Sequence, residues 1–324
     1  MKIQYLILIC SLCLTSCSRE ENAVDFVSNN LQTGAVLRTL EIENLTFDRS
    51  TPDRPISITI EHQDEQRGDL LDTVELFLSF DDRTPENGNN TETSRLFKTL
   101  TRSDFDVTTE LPITDIVITT QELLDFFGFS TNDIQCTDRF VLDVKLCLTN
   151  GLCFTNTNSI GPIISLGGRL NSPFTYDIFV VDGVGEESFT GNYNHTSIQD
   201  GFRGPTIITP TIIEITTNRP NTRRFEIFRD EQDIQGGLFL RAEVEFVIAC
   251  DQAILTRYVR SAILCGFGVE GDIHVLLGPE ENLNETINLN DDSVFNLKFL
   301  EAFEGNDGFC GWPLTSSEVR FSKQ

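Results

Sequence analysis

Short runs in which apolar and polar residues alternate recur along the chain, and they constrain its fold more than any other feature. Residues 56–60 read ISITI, and Val74, Leu76, Leu78 and Phe80 share one face of a second such run. A period of two residues is typical of half-buried β-strands. Clusters of Gly, Asn, Asp and Pro separate the runs, and helical periodicity is almost absent. These patterns predict an all-β fold made of two consecutive β-sandwich domains.

One segment departs from this pattern and predicts a single short helix in the first domain. Thr119 and Glu122 have the spacing of a capping box, and Gly128 stands where a helix of two turns would end. We interpret the apolar residues of this helix as a plug for one end of the first sandwich: Leu123, Leu124, Phe126 and Phe127.

The boundary between the two sandwiches is predicted near residue 171, because Gly and Pro interrupt the strand pattern between residues 161 and 173. The first sandwich would then cover residues 35–171, and the second would cover residues 172–324. A polar tether, residues 17–34, precedes them.

The N-terminus carries the features of an export signal. Lys2 precedes an apolar run of about ten residues, whereas a helix that spans a bilayer needs roughly 20. Residues 14–17 read LTSC and resemble a bacterial lipobox. This resemblance implies that residues 1–16 are a signal peptide and that Cys17 is the lipidated first residue of the mature protein. The alternative is a plain secreted or buried cysteine.

The location of the protein follows from this anchor. Each buried acyl CH₂ contributes about 0.8 kcal/mol, so several chains hold a protein on a membrane almost permanently. Residues 18–21 read SREE and resemble the export tag of surface lipoproteins in some Gram-negative glycan foragers, although a solvated polar linker is the alternative. We therefore expect an outer-membrane protein that is anchored through Cys17 and faces the extracellular medium.

The charge of the chain excludes one class of partner. Its 24 Lys and Arg residues stand against 50 Asp and Glu, which gives a net charge of −26. Binding to phosphate backbones needs a basic face, so we expect no nucleic-acid partner. The composition is 39% hydrophobic and includes 25 Phe, which is enough for a packed core.

Six cysteines remain beyond the signal and the lipid site, three in each predicted domain: Cys136, Cys147, Cys153, Cys250, Cys265 and Cys310. Export permits disulfides, but three thiols cannot all pair within one domain. Cys147 and Cys153 flank Asn150-Gly151, a strong hairpin signal. A two-residue loop would point these cysteines to opposite faces, whereas a three-residue loop with a bulge would bring them opposite each other. Free buried thiols or one bond per domain are favoured over a metal site, since C-x-x-C spacing is absent.

Several stretches resemble surface lipoproteins of starch-utilisation-type import systems. In the first half, residues 116–154 combine the capped helix, a strand and the sequence LTNG before a phenylalanine. In the second half, residues 189–193 and 291–295 read FTGNY and DDSVF, and residues 309–311 read FCG. The resemblance implies a non-enzymatic protein built of immunoglobulin-like modules, with a TonB-dependent outer-membrane transporter as partner. Where such families bind glycans, exposed Trp and Tyr supply the platforms.

Motifs typical of enzymes lack the surroundings that catalysis needs. Residues 266–271 fit G-x-G-x-x-G, but the residues that follow predict a strand instead of the helix that a dinucleotide site needs. His62, His195 and His274 lie in no nucleophile-elbow pattern. We therefore expect that the protein is not an enzyme and that it holds no cofactor beyond a structural ion.

A polysaccharide or other ligand is expected at loops at one end of a sandwich, because the core occupies one face of each sheet. The aromatic candidates in these loops are Tyr193, Phe202, Phe309 and Trp312. Gly311 and Pro313 flank Trp312 and could leave its indole exposed, although a lone tryptophan in a β-sandwich is more often buried in the core. Asp291 and Asp292 are candidate ligands of a structural calcium ion, or else part of a solvated turn.

Two functional classes follow from these features. The first, which is favoured, is a surface-anchored binding or accessory module of a nutrient import system for glycans. The second is a structural or adhesion lipoprotein without a small ligand.

Overall fold

Strand pairing dominates the backbone, and this confirms the predicted all-β class. The protein is represented by a computed structural model, which describes residues 34–85, 88–159, 161–168, 170–231, 238–268, 271–281, 286–303 and 312–324. The predicted signal peptide, Cys17 and residues 18–33 of the predicted tether therefore lie outside the described residues. No helix within those ranges is both long and apolar enough to cross a membrane.

The described residues form eighteen strands and two α-helices. The strands are β1 (Val36–Asn44), β2 (Thr46–Asp48), β3 (Ile56–Gln63), β4 (Leu71–Asp81), β5 (Glu92–Thr101), β6 (Ile113–Ile118), β7 (Arg139–Leu148), β8 (Cys153–Phe154), β9 (Thr175–Val181), β10 (Gly191–Gln199), β11 (Ile212–Arg219), β12 (Thr222–Glu231), β13 (Leu238–Ala249), β14 (Gln252–Leu255), β15 (Val259–Gly268), β16 (Gly271–Pro279), β17 (Val294–Glu301) and β18 (Thr315–Lys323). The helices are α1 (Thr120–Phe127) and α2 (Gly161–Ile164).

Residues 34–181, which we call the N-terminal part, form two sheets around one core. The smaller sheet has the order β1-β3-β6, and the larger has the order β2-β9-β7-β4-β5 with β8 paired to β7. Ile58 of the smaller sheet and Leu76 and Leu142 of the larger one belong to the same buried cluster. Alternate residues of β4 are buried, as the sequence pattern predicts. Two facing sheets that share one core define a β-sandwich.

The predicted helix is confirmed with its caps. The Thr119 side chain accepts a hydrogen bond from the Glu122 backbone N–H, and the Glu122 carboxylate accepts one from the Thr119 N–H. Gly128 ends α1 in the left-handed conformation, with φ of 75°. Leu123 and Leu124 are buried in the core of the sandwich, so the helix covers that core as expected.

The hairpin after β7 resolves the alternatives for the first two cysteines. Cys147 lies opposite Cys153 in the strand register, and the two form a disulfide with a Cα–Cα distance of 4.2 Å. The Leu148 N–H donates to the Leu152 carbonyl, which leaves three residues in the loop. Of the two turns that the sequence allows, the chain therefore adopts the three-residue loop.

Residues 182–324, which we call the C-terminal part, contain one sheet of nine described strands in place of a second pair of sheets. Its order is β14-β13-β12-β11-β10-β18-β17-β16-β15, and a parallel contact between Ile254 and Lys298 also joins β14 to β17. Seven strands thus form a closed ring around a core that contains Phe225, Phe246 and Phe321. Local alternation predicts the strands, but the contact that closes the ring joins residues 44 positions apart (298 − 254) and leaves no local pattern.

The boundary between the two parts lies further along the chain than predicted. Strand β9 pairs with β2 and β7 of the larger N-terminal sheet, so the segment after residue 171 belongs to the first sandwich. Ser172 also accepts a hydrogen bond from the Leu37 N–H. The Gly- and Pro-rich stretch is therefore a connection within the N-terminal part. The division into independently folding domains stays a prediction.

Covalent, ionic and apolar contacts join the two parts. A disulfide links Cys136 to Cys250 with a Cα–Cα distance of 5.9 Å, a pairing between domains that counting within each domain missed. Apolar residues of the C-terminal part also enter the core of the sandwich: Tyr258, Leu276 and Phe303. Among the remaining cysteines, the side chain of Cys265 and all of Cys310 lie outside the described residues.

The two disulfides should differ in their contribution to stability. Replacing Cys136 and Cys250 together by Ala should lower the free energy of unfolding by about 5 kcal/mol, because the bond closes a loop of 114 residues in the unfolded chain. Replacing Cys147 and Cys153, which are 6 residues apart, should cost about 2 kcal/mol by the same relation. Guanidinium denaturation of the oxidised proteins measures both losses, and a larger loss for the hairpin pair would contradict the prediction.

Candidate functional site

Two of the four aromatic residues predicted to bind ligand meet at one surface of the C-terminal part. The rings of Phe202 and Trp312 lie 5.4 Å apart between centroids and are inclined by 58°. Phe202 is 48% exposed, whereas Trp312 is only 9% exposed. The Arg203 guanidinium carbon lies 4.9 Å from the centroid of the indole ring. We call these three residues the aromatic cluster.

Trp312 forms the buried base of the aromatic cluster. It packs with Ile263, Val275 and Ala302 in a small apolar group. The alternative of a largely buried tryptophan is thus the one adopted, and the exposed ring is that of Phe202 instead. A buried indole beneath an exposed phenyl ring gives the surface an apolar face with a firm support.

A buried carboxylate positions the loop that carries Phe202. Glu301 ends β17, is buried, and accepts hydrogen bonds from the Phe202 N–H at 2.9 Å and from the Thr206 hydroxyl at 2.5 Å. Thr206 also contacts the Ser317 hydroxyl of β18 at 2.8 Å. A side chain at Gly201 would collide with the Glu301 carboxylate, so the close approach requires glycine. The loop is therefore held against two strands.

The other predicted aromatic candidates do not join this cluster. Tyr193 is fully buried, with its ring 5.4 Å from that of Phe295, and so it belongs to the core of the closed ring. Its hydroxyl donates to the Asp292 carbonyl at 3.1 Å, and burial raises its pKa. Tyr193 faces inward because β10 continues through this segment, where the sequence suggested a loop. Phe309 lies outside the described residues.

Asp291 and Asp292, the predicted calcium ligands, stand at the turn before β17. Asp291 accepts a hydrogen bond from the Ser293 N–H at 3.0 Å. Asp292 accepts from the Phe189 N–H at 2.8 Å and from the Lys323 ammonium at 2.6 Å. Burial raises the pKa of Asp292, but these hydrogen bonds outweigh it and hold the pKa below its usual value. The carboxylate already has a cationic partner, and calcium binding stays a prediction.

The one group of metal-capable side chains within the described ranges contains a disulfide. It consists of Cys136, Asp182 and Cys250. Because the two sulfurs are bonded to each other, they are not available as thiolate ligands. This cluster is therefore a disulfide that links the two parts, and not a metal site.

The histidines occupy structural positions. His62 is fully buried, and its Nε2 lies 2.8 Å from the Asp64 carboxylate, which caps the turn before β4. Burial lowers the pKa of His62. The rings of His195 and His274 contact the carbonyl oxygens of Pro210 and Ser261. The residues that follow the glycine motif lie in β16 (Gly271–Pro279), so the prediction of a strand after this motif is confirmed.

Sequence reasoning missed Arg203, the cationic member of the aromatic cluster. A signal was present, since Arg203 follows an aromatic residue in a tight loop between Gly201 and Gly204. Comparison with known protein families, curated proteins and solved structures finds no match to this chain. Function is therefore inferred from the geometry of the chain itself.

Exchange of the buried carboxylate should loosen the aromatic cluster. In Glu301→Gln, one of the two donors would face an amide NH₂ group in place of an acceptor, so the loop would lose a charge-assisted bond worth about 1.5–3 kcal/mol. Acrylamide quenching of Trp312, the only tryptophan, should increase. Glu226→Gln, at a residue whose side chain is 65% exposed, is the matched control. Equal quenching in all three proteins would show that Glu301 does not hold the loop.

Proposed function

We propose that this protein is a lipid-anchored, non-enzymatic binding or accessory module of a glycan import system at the outer membrane. The observation that carries the proposal is the aromatic cluster, in which Phe202 holds a half-exposed ring against the buried Trp312. Isolated exposed apolar side chains are common. An exposed ring that packs against a second ring and a guanidinium group instead forms a preorganised binding surface.

The chemistry of the aromatic cluster suits a sugar ring. The faces of pyranose rings carry C–H groups, which lose contact with water and gain dispersion contacts when they pack on an aromatic face. Arg203 retains N–H donors beside the same surface and would supply hydrogen bonds to hydroxyl groups. Binding sites commonly combine an apolar face with a few placed polar groups in this way.

The architecture of the N-terminal part supports an immunoglobulin-like module as the finer description of its fold. Its two sheets, which are antiparallel except where β2 pairs with β9, share one core, and α1 covers that core. Such modules serve as spacers that hold a binding surface away from a membrane. The C-terminal part, which carries the aromatic cluster, would then stand beyond this spacer.

The proposed location and partner depend on the N-terminal sequence. Cys17 would hold the lipid, residues 17–34 would form a tether, and a TonB-dependent transporter would receive the captured glycan. Acidity of the chain, with a net charge of −26, agrees with an exterior location and with solubility.

Phe202→Ala should weaken binding to a polysaccharide selected from a panel of host and algal glycans. Loss of a buried phenyl contact of about 1.5–3 kcal/mol corresponds to a roughly ten- to hundredfold higher Kd. Leu96→Ala, which removes an equally exposed apolar side chain from β5, is the matched control and should leave the Kd unchanged. Isothermal titration calorimetry measures both. Absence of binding to every glycan of the panel would favour the structural or adhesion class.

Cys17→Ala should release the protein from the membrane, because the thiol that would carry the lipid is removed. Cys13→Ala, within the predicted signal peptide, should leave the anchor intact. Fractionation of cells, together with protease treatment of intact cells, measures anchoring and orientation. If the unmodified protein resists protease on intact cells while the same protein is cut in a lysate, it does not face the medium.

A further inference from the structure

A cleft lies between the N-terminal part and the C-terminal part, on residues that the aromatic cluster does not use. The end of β2 contributes Asp48 and the segment after it Arg54. The segment after β9 contributes Glu186, and the β11–β12 hairpin contributes Arg219 and Arg223. The cleft has a volume of about 370 Å³, which falls at the small end of ligand sites, roughly 300–1,000 Å³. A single sugar or a molecule of similar size fits this volume.

Arg223 places a buried positive charge in the wall of this cleft. The side chain is 0% exposed. Its Nε and Nη2 donate to the carbonyl oxygens of Ser188 and Gly185, both at 2.7 Å, and its Nη1 donates to the Thr222 carbonyl at 3.1 Å. These bonds use three of the five N–H groups of a guanidinium. Within the described residues no carboxylate hydrogen-bonds to it, and the charges of Glu186 and Glu187 act on it only through space.

Two further arginines extend the positive surface. The Arg219 side chain is 11% exposed and pairs with Glu245, but its buried Nε has no hydrogen-bond partner in the described part of the chain. Arg54 is exposed, and its side chain has neither a hydrogen bond nor an ion pair among the described residues. The cleft therefore offers a buried donor without an acceptor beside a freely available guanidinium.

The two carboxylates that line the cleft are engaged in hydrogen bonds or exposed to solvent. Asp48 accepts hydrogen bonds from the Ser50 N–H at 2.8 Å, the Ser50 hydroxyl at 2.6 Å and the Asn221 amide at 3.1 Å, so its oxygens are already engaged. Glu186 is exposed to solvent, where its charge is screened. Three arginines and two carboxylates line the cleft, and Glu245 pairs with Arg219, so the positive charge that is open to a ligand is chiefly that of Arg54.

We propose that this cleft binds the carboxylate of a small acidic ligand, of which a uronic acid sugar is the expected class. The planar guanidinium groups of Arg54, Arg219 and Arg223 match the two oxygens of a carboxylate, which accepts such bonds in pairs. Asn221, Ser50 and the cleft backbone supply polar partners for sugar hydroxyls. The proposal uses no residue of the aromatic cluster, so it and the proposed function can fail separately.

Calorimetric titration of the full-length protein tests the site with three probes: D-galacturonate, D-galactose and acetate. Galacturonate should bind, and neutral galactose, which has the same ring without the carboxylate, should bind at least about tenfold more weakly. Acetate distinguishes a site for simple organic acids from a site for acidic sugars. If acetate binds as tightly as galacturonate, the site recognises free organic acids. If acetate binds more weakly, the sugar ring contributes and the ligand is an acidic sugar. Either result supports the carboxylate site.

Arg54→Gln is the decisive variant, because this exposed side chain has no structural partner in the described residues and its loss should not disturb folding. It should raise the Kd for galacturonate by about tenfold or more. Arg224→Gln, which removes the same charge from the exposed face of β12 outside the cleft, should leave the Kd within about twofold. The proposal is overturned if galacturonate does not bind, if galactose binds equally well, or if the two variants weaken binding equally.

Discussion

The buried carboxylate of Asp177 pairs with an arginine from the other part of the molecule. It lies on β9, accepts a hydrogen bond from the Arg257 Nε at 2.6 Å, and stands 3.6 Å from the Arg139 Nη1 without a hydrogen bond. Arg139 also pairs with Asp81 at 2.7 Å. Buried ion pairs add little net stability, but removal of one partner leaves an uncompensated charge at a cost of about 3–5 kcal/mol. This network therefore favours the observed arrangement of the two parts, in which the arginine-lined cleft lies between them.

Features that depend on neighbouring residues were predictable from the sequence. The buried face of β4 follows from an alternation that Phe77 alone interrupts. Helix α1 follows from Thr119, Glu122 and Gly128, because the capping box needs side chains only three residues apart. The hairpin loop was predictable as one of two lengths, since Asn150-Gly151 fits both. Phe202 and Trp312 were also found this way, because an aromatic residue in a loop rich in Gly is itself a local signal.

Features that depend on distant residues were not predictable. The contact that closes the ring, the Cys136–Cys250 bond and the placement of β9 in the first sheet all join segments whose pairing has no sequence pattern. Tyr193 shows the same limit: a tyrosine near turn residues fits a loop, yet strand pairing turns its ring inward. Arg54 and Arg219 of the cleft are 165 positions apart (219 − 54), so only the fold brings them together.

The Cys136–Cys250 bond also determines how the chain would carry mechanical load. Tension applied between residue 34 and the C-terminus would pass through this covalent bond and bypass the 114-residue loop between its two ends. At about 3.4 Å per residue, roughly 390 Å of contour length is thereby withheld from extension. Strands β7 to β13, and with them Phe202, Arg219 and Arg223, lie inside the bypassed loop. Under such a pull, the segments that carry much of both binding surfaces would be outside the direct load path.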